Sequence, residues 1–262
     1  MERFLFTKLF MLIMITLVLQ MHRCKGCLEK ERIALLKIKA LIINASTVVV
    51  DDYNPTLESA SDCCGWYQVE CNTTTGRVIN LSLSRLLYLS TPILNISLFQ
   101  SFEELQSLNL SSNYFEGCAD CRESLKQLRI LDLRWNNFNS SILQYLTRLT
   151  SLRTLIVRGN YLEDFNTEQG AGLANLRNLE FLDLSDNGIS GSAGLANLRN
   201  LEVLDLSYNR INDTLQELGA GLANLRNLEF LDLSGNRING TLQGLDKTDL
   251  NENQRSLRIK LH

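Results

Sequence analysis

Apolar positions recur along this chain as Leu-x-x-Leu-x-Leu-x-x-Asn-x-apolar, with the second Leu at Leu108, Leu131, Leu155, Leu182, Leu204 and Leu231. The spacing, 22 to 27 residues, is that of a unit too small to bury its own apolar face, which must therefore stack against copies of itself. In Leu182-Asp183-Leu184, side-chain alternation turns both leucines to one side of a short strand and Asp183 to the other. Stacked copies then predict a leucine ladder inside and a column of Asp183, Asp205 and Asp232 outside. A weaker first copy runs from Val78 to Leu83, with Leu86 in the Asn slot. The slot is otherwise filled by Asn113, Asn136, Asn160, Asn187, Asn209 and Asn236, where an amide is expected to satisfy backbone groups of the neighbouring coil.

Consensus and period are together the signature of leucine-rich repeats, and about seven are expected over residues 77–245. Residues 170–185 are identical to 219–234, and 194–207 differ from the shared part only at Val203, which points to internal duplication. Residues 246–262 lack the consensus and read as a degenerate or truncated tail. An uncovered last repeat predicts a self-associating edge.

Composition narrows the functional classes. Leu fills 52 of the 262 positions and Asn 25, whereas the two histidines, His22 and His262, lie in the leader and at the last position. No histidine-dependent triad, zinc-protease motif or imidazole acid-base pair can be assembled, so the chain is read as a non-enzyme needing no cofactor or metal. Residues 1–26 place Arg3 and Lys8 before an apolar run, Leu9 to Leu19, and read as a signal peptide. A retained signal anchor is the alternative, although the run falls short of the ~20 residues of a membrane span. Beyond the leader remain 22 Lys and Arg against 28 Asp and Glu, a net charge of −6, which excludes nucleic acid as an expected partner.

Six cysteines remain there, Cys27, Cys63, Cys64, Cys71, Cys118 and Cys121, an even number that reads as three disulfides in an exported chain. Cys118 and Cys121 have thioredoxin-type spacing without a βαβ context, so a local disulfide is preferred to a redox role. Glycosylation acceptors occur at Asn44, Asn72, Asn80, Asn95, Asn109, Asn139, Asn212 and Asn239. Asn139, Asn212 and Asn239 each follow a ladder Asn by three residues, so glycans there would line one flank. The Gly170 and Gly219 clusters lack the ending of a phosphate loop and read as turns.

Ahead of the repeats, Leu28 to Ile42 reads as an amphipathic helix, followed by a loop and Cys63-Cys64-Gly65-Trp66. With Glu31-Arg32, Ala34-Leu35-Leu36, Lys37 and Cys71, these residues resemble the amino-terminal cap of plant extracellular leucine-rich-repeat proteins, and the whole chain resembles the receptor-like proteins among them, as a short or truncated member. The resemblance implies an α/β solenoid, a right-handed superhelix with a parallel concave sheet and a disulfide-bonded helical cap over residues 27–76. It also implies pairing of Cys27 with Cys63 and of Cys64 with Cys71, and a buried, packing Trp66. Three departures stand out: Leu57 where the cap usually has Trp, Gln68 where it usually has Gly, and no Ile-Pro dipeptide in any repeat, which puts the lateral strand in doubt.

Strand alternation assigns Arg134, Trp135, Arg158, Asp183, Asp186, Asp205, Tyr208 and Asp232 to the exposed strand face as binding candidates, with Trp135 and Arg134 first. The resulting expectation is a secreted, apoplastic recognition module for a protein, peptide or oligosaccharide ligand. The resemblance adds signalling through a co-receptor kinase and, for a longer anchored form, the plasma membrane; this chain has no span beyond its leader. The alternative is a secreted inhibitor of a cell-wall-degrading enzyme such as polygalacturonase.

Overall fold

The computed structural model describes residues 27–45, 62–85, 93–119, 125–163, 171–192, 194, 198–214, 217–218, 224–239 and 257–261. The leader, Leu57, Leu86, Cys121, the side chain of Asn44, Gly170, Gly219 and most of the tail lie outside the described residues.

The chain opens with helix α1 (Glu29–Ala45), whose first turn carries Glu29 and Glu31 at the electropositive end. Its face of Ala34, Leu35 and Ile38 is buried, and Glu29 is paired with Arg32 at 2.7 Å. A 3-10 turn at Cys63–Gly65 follows, capped by the Asp62 carboxylate, which accepts from the Cys64 N–H at 2.9 Å and the Cys27 N–H at 3.3 Å. Cys27 is bridged to Cys63 and Cys64 to Cys71, and Cys118 is also disulfide-bonded. Closing the 36-residue separation between Cys27 and Cys63 stabilises the cap by about 3–4 kcal/mol in the chain-entropy account. Trp66 packs beside the bridges with 8% of its surface exposed.

Strand β1 (Val69–Cys71) runs antiparallel to β2 (Val78–Ser82) and is entered through Gln68 at φ 69°. That left-handed backbone explains why glycine suits the position; Gln68 holds it while its carbonyl accepts from the Ser82 N–H at 2.9 Å. From β2 onward the sheet is parallel, through β4 (Ser107–Asn109), β6 (Ile130–Asp132), β7 (Thr154–Ile156), β8 (Phe181–Asp183), β9 (Val203–Asp205), β10 (Phe230–Asp232) and β11 (Arg258–Lys260). A second, two-stranded parallel sheet joins β3 (Ile93–Asn95) to β5 (Gly117–Ala119). Isolated bridges Asn139–Tyr161 and Thr214–Asn239 repeat that contact further along. Lateral pairing therefore exists without Ile-Pro, among the described residues in fragments rather than as one strand per repeat. A short helix, α2 (Ile142–Leu146), and a 3-10 turn at Ile96–Phe99 lie between strands.

Register is fixed by the leucines. Leu81, Leu108, Leu131, Leu155, Leu182, Leu204 and Leu231 are successive partners, each at most 1% exposed, and Ile259 continues the row. Burial of one such side chain is worth about 1.5–3 kcal/mol relative to exposure, so slipping by one residue, which would turn the whole set outward, is excluded. The tail does not leave β10 bare: Leu257 to Leu261 add an eighth parallel rung in the same register. The consensus failed to reveal it because Ser256 replaces the leading Leu.

Asparagines lace the rungs together as the turn chemistry requires. Asn136 donates to the carbonyls of Leu110 at 3.0 Å and Leu133 at 2.9 Å, and its oxygen accepts from the N–H groups of Asn113 and Phe115. Asn160, Asn187, Asn209 and Asn236 repeat the scheme, each bonding its own rung and the preceding one. Asn113 donates to Leu83 and Leu110 in the same way, so the weak first copy is tied in despite Leu86.

Candidate functional site

Four columns of residues run along the concave face of the sheet, not all of them exposed: Ser111, Ser185, Ser207 and Ser234 of the third are buried. The first contains Asn80, Ser107, Ile130, Thr154, Phe181, Val203, Phe230 and Arg258. The second, past the inward leucine, contains Ser82, Asn109, Asp132, Ile156, Asp183, Asp205, Asp232 and Lys260. Two residues further along each rung come Ser111, Arg134, Arg158, Ser185, Ser207 and Ser234, and then the residue before the ladder Asn.

That last column has an unusual backbone. Arg85, Ser112, Trp135, Gly159, Asp186, Tyr208 and Gly235 all have φ between 51° and 69°. For a residue with a side chain this costs about 1–2 kcal/mol, and the rung beyond supplies the compensation. The N–H of Trp135 donates to the Arg158 carbonyl at 2.8 Å, that of Asp186 to Ser207 at 3.0 Å and that of Tyr208 to Ser234 at 2.8 Å. The consequence is an outward-pointing side chain at the rungs where this residue is not glycine, Trp135 being 50% and Tyr208 61% exposed.

Trp135 is outward but not loose. Its ring lies across Gly159, where a Cβ would come within 2.3 Å of the ring. The Arg158 guanidinium sits over the same ring at 5.6 Å from its centroid and is anchored to Asp186 at 2.6 Å. Tyr208 lies over Gly235 in the same manner, with a Cβ at 2.8 Å. Glycine is therefore needed twice in this column because the preceding rung lays an aromatic ring there.

The carboxylate column is half structural. Oδ1 of Asp183, Asp205 and Asp232 accepts from the N–H of Ser185, Ser207 and Ser234, closing a turn in each rung, and Asn109 and Asp132 do the same for Ser111 and Arg134. The second oxygen differs between rungs. Asp132 gives Oδ2 to Arg134 at 2.5 Å, and this hydrogen bond holds the guanidinium pKa above its usual value. Asp232 gives Oδ2 to Lys260 at 2.9 Å and is only 7% exposed, so it is withdrawn from the open surface. Burial works against its ionisation, but the Ser234 and Lys260 hydrogen bonds outweigh burial and the carboxyl titrates below its ordinary range. Asp183 goes the other way: burial pushes its carboxyl up, and the Asp205 charge adds to this against the Ser185 hydrogen bonds and Arg158.

All eight sequence-derived candidates thus lie on one face, although Asp232 is covered. Sequence reasoning missed the partner Asp132, the apolar column of Ile130, Phe181, Val203 and Phe230, and Lys260. Alternation gave a signal for the phenylalanines, since each precedes the inward Leu by one residue. A cleft of about 360 Å3, lined by residues such as Leu176, Arg177, Leu198 and Arg199, lies ahead of the strands rather than on this face. Among the described residues no group of three or more His, Cys, Asp or Glu side chains is placed to hold a metal ion, and no helix is long and apolar enough to cross a membrane.

The acceptors Asn139, Asn212 and Asn239 are exposed off the sheet. Asn95 and Asn72 are half-buried, Asn72 reaching Glu104 at 3.4 Å. Asn80 and Asn109 stand instead on the sheet face itself, on the first two parallel rungs.

Comparison with known proteins gives a consistent context. Family models described as Leucine Rich repeats (2 copies) match residues 177–220 and 199–247, and one described as Leucine Rich Repeat matches 127–149. Receptor-like protein 9b of Arabidopsis thaliana is 43% identical over 187 residues, covering 69% of this chain and 19% of the relative. The chain spans about a fifth of the length of the curated relatives it matches. The solenoid resembles the ectodomain of the Arabidopsis receptor kinase HAESA, solved with a peptide hormone ligand, at TM-score 0.60 and 23% identity over 86% of this chain and 40% of that one. It also resembles the plant peptide hormone receptor RGFR1 in complex with RGF2, at TM-score 0.52 and 27% identity over 76% of this chain and 29% of that one.

Proposed function

Because the chain is a plant-type leucine-rich-repeat protein homologous to the receptor-like proteins, a non-enzymatic repeat module, we propose that it is an extracellular recognition module that binds a peptide ligand on its concave face. Signalling then passes through a partner kinase, and the working location is the cell surface or apoplast.

The observation that carries this reading is the Trp135 ring, half exposed yet clamped between Gly159 and the Arg158 guanidinium. An aromatic anchor pre-ordered on rigid strands loses little freedom when a partner covers it, which is the composition and rigidity of an interaction hot spot. An open sheet face suits an extended ligand better than a small molecule, which calls for a concave pocket. The likeness to RGFR1, a plant peptide hormone receptor solved in complex with RGF2, supports the same choice of ligand class.

The test uses the secreted chain immobilised on beads and peptides below 3 kDa from plant apoplastic fluid as the probe. Replacing Trp135 and Arg134 by Ala should lower the retained peptide at least about tenfold, the loss of one hot spot, while circular dichroism stays unchanged. Equal retention by the variant removes the site from this face.

A further inference from the structure

The concave face is uneven from one end to the other, and the unevenness specifies a ligand. On the first two rungs the outward columns are Asn80, Ser82, Ser107 and Asn109, small and polar, and two of these are glycosylation acceptors. A glycan at either would stand on the sheet itself and close that end. From β6 to β10 the first column is apolar apart from Thr154, with Ile130 exposed and Phe181, Val203 and Phe230 half-exposed. The described residues leave this stripe partly open to solvent.

Beside the stripe, Asp183 and Asp205 are register partners on adjacent strands, which are roughly 4.8 Å apart. Each spends Oδ1 on its own turn, to Ser185 and Ser207. The cations nearby are committed elsewhere, Arg158 to Asp186, Arg134 to Asp132 and Lys260 to Asp232. Two half-buried like charges thus face outward from neighbouring strands, each with one oxygen that no described side chain takes. A cation seated between them relieves their repulsion, as a neutral or anionic group cannot.

We propose that the rungs β6 to β10 dock an extended peptide carrying an arginine or lysine beside a bulky apolar residue, the cation lying between Asp183 and Asp205 and the apolar side chain on Phe181, Val203 and Phe230. This rests on the reading of the concave face as the ligand surface, and adds the chemistry of what it takes. Five strands span roughly 19 Å, which an extended chain crosses in about six residues. Trp135 and Tyr208, in one column and both held over glycines, edge the track on the side beyond the aspartates, at the rungs of β6 and β9. The folded chain's own negative balance acts in the same direction by favouring approach of a basic peptide.

The test is a random 12-residue displayed-peptide library selected on the wild-type chain and on Asp183→Asn with Asp205→Asn. Asn109 already closes the same turn with an amide oxygen, so the double variant loses charge and keeps the fold. The expected result is enrichment by the wild type of peptides with Arg or Lys within two residues of Leu, Ile, Phe or Trp, bound at least about tenfold more weakly by the double variant. Enriched peptides without basic residues, or equal binding of basic peptides by both proteins, overturn the proposal. If those peptides still depend on Trp135 and Arg134, the concave-face reading survives; if they do not, both fall. An absence of any enrichment by the wild type also overturns it, while retention of apoplastic peptides separately judges the broader reading.

Discussion

At β2 and β4 the outward columns present Asn80, Ser82, Ser107 and Asn109, whereas at β8 and β9 they present Phe181, Asp183, Val203 and Asp205. Inside, the two regions are the same: Leu81 and Leu108 occupy the row that Leu182 and Leu204 occupy, and Asn113 makes the donations that Asn209 makes. The first region is bound to the cap instead. The Glu31 carboxylate, fully buried, accepts from the Val78 N–H at 3.1 Å; Arg77 bridges Glu103 at 2.6 Å, and Lys30 pairs with Glu103. One backbone unit therefore carries a polar, cap-bound face at one end and an apolar, acidic face further along, and the difference lies in the outward residues.

The comparison can be broken most severely at the boundary between the regions. Replacing Asn136 by Ala strands the N–H groups of Asn113 and Phe115 and two carbonyls, so the denaturant midpoint of the whole chain should fall by the equivalent of about 3–4 kcal/mol. A loss below about 1 kcal/mol would mean that the ladder is not what joins the two regions.

A smaller effect sharpens the contrast in the left-handed column. Gly159→Ala meets a positive φ and the Trp135 ring together, and should cost about 1–2 kcal/mol and shift the Trp135 fluorescence as the ring lifts. Ser112→Ala, at φ 58° in the first region, replaces a residue that already has a Cβ and should change stability by less than about 0.5 kcal/mol. Equal losses at both sites would show that the ring plays no part.

The smallest effect concerns the cap. Burial raises the Glu31 pKa against the Val78 hydrogen bond and the Arg77 charge. A carboxyl raised on folding contributes stability that is fully present below its unfolded pKa and is lost as pH rises through the folded one. Glu31→Gln should therefore match wild type near pH 4 and melt higher near pH 7, because Gln keeps an acceptor for Val78 without the charge. The opposite ordering at pH 7 would show that the ionised carboxylate is favoured there.

Legibility in the sequence follows the same division. The interior was readable because Leu and Asn repeat in register, and the rule that sets the period also sets the packing. The cap motifs resembled a known family, and the Gln68 departure marked a left-handed backbone. The outward residues were readable only in direction. Alternation placed Asp232 on the face, yet its covering by Lys260 depends on a strand whose leading Leu is replaced by Ser256. Trp135 was legible as an exposed aromatic, but its clamp joins residues of successive rungs, with Gly159 more than twenty positions away in sequence. The lateral contacts were hidden for a similar reason, being made by backbone pairs such as Asn139 and Tyr161 with no shared side-chain signature.

Duplication of the segment that becomes β8 and β10 has a further consequence. Phe181, Asp183 and Ser185 are copied as Phe230, Asp232 and Ser234, so the face carries a translational symmetry of two rungs. A guest that read only those side chains would meet two indistinguishable berths and have no defined position. Lys260 removes the degeneracy by pairing with Asp232, leaving Asp183 as the copy with an oxygen that no described side chain takes. The symmetry left by duplication is thus broken by one ammonium group.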